Sequence, residues 1–109
     1  MIDTGKDVNY VNLTGNLLTN VTWKTTPEGT RTVGLFALAT ARLLKGEFVT
    51  DAHSIVVKGP AVRNFPEIAK GSRVAVQGVL AYTKHENCKY PKAEIRLETI
   101  KVLSATNNG

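Results

Sequence analysis

The chain has 109 residues, 14 Lys and Arg against nine Asp and Glu, and a formal net charge of +5. That is one domain's worth of core, and the basic balance favours a polyanionic partner without identifying it. Cys88 stands alone, which excludes an intrachain disulfide, and no segment approaches the roughly 18 apolar residues of a membrane span.

Residues 10–18 alternate, with Val11, Leu13, Gly15 and Leu17 on one face and Tyr10, Asn12, Thr14 and Asn16 on the other. This predicts a half-buried first strand, with Gly15 at a bend or close approach. Pro27-Glu28-Gly29 has the residues of a turn, so a second strand begins near Thr30. Residues 30–40 start β-branched and become nearly continuously apolar, as in a strand covered on both faces or lying at a subunit contact. Residues 42–50 read as a hairpin connection centred on Lys45-Gly46. In the third strand, His53, Ile55 and Val57 share one face and Ala52, Ser54, Val56 and Lys58 the other.

Gly59-Pro60 breaks that strand. Ala61, Phe65, Ile68 and Ala69 then recur at roughly helical spacing, with Pro66 keeping the helix short or broken and Gly71 placed to stop it. Val74, Val76, Gly78, Leu80 and Tyr82 line one face of a fourth strand, and residues 83–91 form a polar hairpin tip. Ala93, Ile95 and Leu97 open the last strand, but Ile100 and Val102 fall out of phase, which predicts a bulge near Glu98 or Thr99. Five strands with one short helix between the third and fourth is the order of an all-β OB-fold barrel. It would fill residues 1–103 as a single nucleic-acid-binding domain, leaving 104–109 as a short disordered tail.

Such a barrel binds nucleic acid on the outer surface of its second and third strands, between the one-to-two and four-to-five loops. Lys84, Lys89 and Lys92 in the four-to-five hairpin alternate with His85 and Tyr90, a pattern that can neutralise phosphates while a ring stacks on a base. Lys58 can reach phosphate from the sheet surface or act as an edge-strand lysine against aggregation. Trp23, beside Lys24 in the one-to-two connection, is either a stacking platform or a core plug. Phe48 has few apolar neighbours in sequence and reads as a stacking ring; Phe36 and Phe65 read as core, and His53 as structural or part of an assembly contact. The nine carboxylates are scattered, no phosphate-cradling glycine loop occurs, and Cys88 with His85 lacks a further ligand cluster. The reading is of a non-enzyme with no metal and no cofactor.

Val11-Asn12-Leu13-Thr14-Gly15-Asn16-Leu17, Phe36-Ala37-Leu38-Ala39-Thr40, His53 followed by Ile55-Val56-Val57, and Lys70-Gly71-Ser72-Arg73-Val74 together resemble the bacterial single-stranded DNA-binding protein family. The likeness runs over residues 10–103. It implies a sequence-tolerant coat for single-stranded DNA in replication, recombination and repair, a homotetramer or homodimer, replication proteins as partners, and a cytoplasmic, nucleoid-associated location away from membranes. The choice of DNA over RNA rests on the resemblance alone.

Two departures stand out. Where the family carries stacking tryptophans, the matching neighbourhoods hold Leu43 or Leu44, Ala52 and His85. Binding is therefore expected either to weaken or to lean more on lysine and be more sensitive to salt, unless Trp23, Phe48 and Tyr90 compensate from other positions. Nothing after Glu98 is acidic, so the family's acidic recruiting tail is not expected here. The short basic chain also resembles primosomal protein B, which makes a replication-restart adaptor, binding single strands and a partner protein, the alternative.

Overall fold

The computed structural model describes residues 7–84, 86, 87 and 89–106. The chain forms six strands, β1 (Val11–Leu17), β2 (Thr22–Thr25), β3 (Arg31–Leu44), β4 (Glu47–Lys58), β5 (Arg73–Thr83) and β6 (Lys92–Ser104), with α1 (Pro60–Arg63) after β4; the five strands that the sequence predicts are among them, and β2 is additional. The sheet runs β1-β5-β6-β4-β3-β2, and an extra β1–β3 pairing closes five of the strands into a ring. This is the OB-fold barrel that the element order predicts. The inward residues Leu17, Phe36, Leu38, Ile55, Val57, Val74, Val76, Ile95 and Leu97 form one buried cluster at its centre, the main source of stability in so small a domain.

Two short ladders close the ring. β1 meets β3 at Asn16↔Ala39 and Leu17↔Leu38, and β4 meets β6 in parallel at Ile55↔Ile95 and Val56↔Arg96. At the first, Gly15 comes so near Ala39 that a Cβ would overlap the Ala39 carbonyl oxygen, the close approach that its place in an alternating strand suggests. Gly78 stands in the same relation to the Arg96 carbonyl. There the β5–β6 register jumps from Gln77↔Thr99 to Gly78↔Leu97. Glu98 is thus the extra residue, the bulge that puts Ile100 and Val102 out of phase.

Several elements differ from the sequence reading. The one-to-two connection contains β2, paired with β3 from Thr22↔Leu35 to Thr25↔Arg31, so Trp23 and Lys24 sit on a strand. The β3–β4 hairpin is not a loop from 42 to 50: pairing continues to Leu44↔Glu47, and Lys45 and Gly46 turn the chain with φ of 51° and 83°, the positive values a two-residue hairpin turn needs. β3 also alternates, with Gly34, Phe36 and Leu38 buried and Leu35 38 % exposed.

The helix stops at Arg63. Pro66 has no N–H to donate to the Val62 carbonyl and biases Phe65 away from helical angles. Gly71, at φ 94°, is a turn residue whose N–H bonds the Leu17 carbonyl rather than a helix stop. Of residues 104–109, Ser104 ends β6, and the Thr106 N–H donates to Oγ of the fully buried Ser72 at 3.0 Å. Residues 107–109 lie outside the described residues.

Candidate nucleic-acid interface

The β3–β4 register fixes which side chains share the outer face of the barrel. Leu35↔Val56, Ala37↔Ser54 and Ala39↔Ala52 face outward, because the alternate residues Phe36, Leu38, Ile55 and Val57 are committed to the core. These outward residues floor a shallow groove of about 400 Å³, walled by Thr19 and Thr22 on one side and Glu94 on the other. Leu35 and Val56 give it an apolar bottom, Ser54 a hydroxyl.

Lysines mark both ends of that groove. Lys24 is opposite Val33, and Val33 is opposite Lys58, so the two lysines flank one valine across three strands of the outer face. Lys92, the first residue of β6, falls two positions before Glu94 and so on its face of the strand. Beyond it, Lys84, Lys89 and Tyr90 are exposed in the β5–β6 connection, with the Lys89 ammonium 5.5 Å from the Tyr90 ring centroid. His85 lies outside the described residues.

The β3–β4 hairpin extends the same outward face past the barrel. Leu43 and Phe48 are cross-strand partners there, and the Phe48 ring is 80 % exposed. On the hairpin's other face, Arg42 Nε donates to Asp51 Oδ2 at 2.6 Å. This hydrogen bond, against a smaller opposing effect of desolvation, holds the Asp51 carboxyl below its ordinary range and pushes the Arg42 guanidinium up. His53 shares a 2.8 Å hydrogen bond with the Thr40 hydroxyl through Nε2, a structural role consistent with its inward phase.

Trp23 belongs to the opposite side of the sheet. It pairs with Gly34, sits edge-on to Phe65 with centroids 5.4 Å apart, and is half-buried against the core cluster. The Arg31 guanidinium covers it at 4.7 Å and is itself held by Glu67 at 2.8 Å. Of its two sequence readings, this geometry matches the core plug. The structure therefore places Lys24, Lys58 and Lys92 around one groove, carries Phe48, Lys84, Lys89 and Tyr90 on extensions beyond it, and separates Trp23 from them.

One outward cation escapes the sequence reading. Arg96 lies between the buried Ile95 and Leu97, opposite Val56 on β4 and Val79 on β5. The available signal was an arginine in the outward phase of an apolar strand.

Residues 8–103 match the model of the single-strand binding protein family. Among solved structures, the chain is similar to a Plasmodium falciparum SSB complex with ssDNA, at 28% identity and a TM-score of 0.73, covering 95% of this chain and 100% of that one. No curated protein sequence matches.

Proposed function

The chain belongs to the single-strand binding protein family, and from that membership we propose that it coats and protects single-stranded DNA without reading its sequence. The strand lies along the outer face of β3 and β4. The observation that carries this reading is the groove over Leu35, Ala37, Ser54 and Val56 with Lys24 and Lys58 at one end and Lys92 at the other. Lysines neutralise phosphates wherever the backbone passes, and the exposed rings of Phe48 and Tyr90 accept any base, since every base has a stacking face. Neither contact selects a sequence. The role is non-catalytic, served by a homotetramer on the nucleoid during replication, recombination and repair.

The test is a titration of the purified chain with fluorescent oligo-dT and with a duplex, at low and moderate salt, with mass followed by light scattering. Tight, salt-sensitive, single-strand-selective binding by a tetramer is expected. Weak binding by a dimer would instead favour the replication-restart adaptor, whose main ligand is a protein.

A further inference from the structure

Among the described residues, Arg31 is bonded to Glu67, Arg42 to Asp51 and Arg73 to Asn16. Arg96 differs. It is half-buried at the centre of the sheet, and its Nε is shut off from solvent with no hydrogen-bond partner. A buried donor left in that state costs its full desolvation, and an arginine is an expensive residue to place between two valines. Its side chain emerges on the outer face, because Ile95 and Leu97 occupy the core on either side.

The neighbours on that face indicate what the guanidinium takes up. Val56, across β4 from Arg96, is part of the groove floor; Lys58 is two residues further along the same face; Lys24 follows across Val33. On the other side, Glu94, also on the groove wall, limits the basic cluster. Turning Arg96 outward breaks no hydrogen bond among the described residues, unlike the same movement at Arg31, Arg42 or Arg73. It frees Nε and presents the planar fork that matches a phosphate with two parallel bonds.

We propose that Arg96 is a phosphate-anchoring residue of this groove: at rest it lies over the sheet with Nε unpaired, and a backbone phosphate of the bound strand draws it out into a bidentate contact beside Lys58 and Lys24. The inference rests on the single-strand-binding reading above. It adds a fixed, directional contact to a surface otherwise served by flexible lysines.

The test compares the full chain with Arg96→Met and Arg96→Lys in titrations of oligo-dT over a salt series, alongside thermal unfolding without DNA. Arg96→Met should bind about tenfold more weakly, lower the salt slope by about 0.7 per protomer, and melt no lower than the parent, because it removes an orphaned donor and keeps the stem. Arg96→Lys should keep the slope and still lose affinity, since an ammonium cannot make the fork. Parental affinity and slope in Arg96→Met would overturn the inference and leave the single-strand reading intact. So would a lower melting point with full affinity in Arg96→Lys, which would make the residue structural. Failure of the parent chain to bind oligo-dT would overturn that reading and this inference together.

Discussion

Gly15 of β1 lies against Ala39 of β3 so closely that a methyl group on its α-carbon would overlap the Ala39 carbonyl oxygen. The neighbour is backbone and cannot turn aside. Gly15→Ala should therefore push β1 off the barrel and cost about 1–3 kcal/mol or more. A thermal melt should drop by about 4–8 °C for each kcal/mol lost in a domain near this size. An unchanged melt would mean that the β1–β3 crossing can open without loss.

Phe48 should show the opposite profile. With its ring 80 % exposed, Phe48→Ala should leave stability within about 0.5 kcal/mol. Its effect belongs on binding: a stacked base is worth about 1–3 kcal/mol, read as weaker affinity for oligo-dT. Loss of stability without loss of affinity would assign Phe48 to packing.

The β5–β6 lysines act through charge. Replacing Lys84, Lys89 and Lys92 together by Ala should reduce the dependence of log affinity on log salt by about 2, at about 0.7 for each phosphate contact on a single strand. The fold should survive, since Lys84 and Lys89 lie outside the strands and Lys92 is exposed. A full slope in the triple variant would remove this hairpin from the interface.

The Arg42–Asp51 pair sets a pH dependence with a definite sign. Asp51 titrates lower in the folded chain than it would unfolded, chiefly through its hydrogen bond from Arg42. The contribution of the pair to stability is complete above the ordinary carboxylate range and lost as pH falls through the lowered folded value. Asp51→Asn should therefore melt below the parent at neutral pH, with the gap closing in acid. Both side chains are substantially exposed, so the gap should also shrink in high salt. A gap that is constant with pH would rule out the charge on Asp51 as its source.

Trp23 gives an optical check on the placement of the interface. Its ring packs on Phe65 and under Arg31, on the far side of the sheet from Lys24 and the groove. Tryptophan emission should shift on unfolding in denaturant and change little when oligo-dT saturates the chain. Strong quenching by the oligonucleotide would move the binding surface to the Trp23 side of the sheet.

The barrel was readable where one face of a strand is committed to the core. Val74, Val76, Ile95 and Leu97 announce their strands by period two, and the lost phase at Ile100 announces the Glu98 bulge. Local pattern fails where distant residues decide. β2 is too short to alternate convincingly and exists because β3 offers it an edge. Residues 42–50 look like a loop because both faces of the β3–β4 hairpin project beyond the barrel, so no burial imprints a period on them. At the interface, lysines and exposed rings stand out by composition. Trp23 does not, because the contact with Phe65 that turns it inward joins residues far apart in sequence. Arg96 is conspicuous only once Val56 and Val79 are known to flank it, a relationship between strands that its own strand does not reveal.

The position of β1 bears on how the chain is made. β1 precedes the other strands of the barrel in the chain, yet it pairs along its length with β5, from Val11↔Gly78 to Asn16↔Arg73. β3 and β4, joined by a two-residue turn, can pair as soon as both have emerged. Before β5 arrives, β1 has only its short ladder with β3, at Asn16↔Ala39 and Leu17↔Leu38, and the rest of the strand waits for its main partner. Translation speed between β4 and β5 thus sets how long that strand is open to wrong partners.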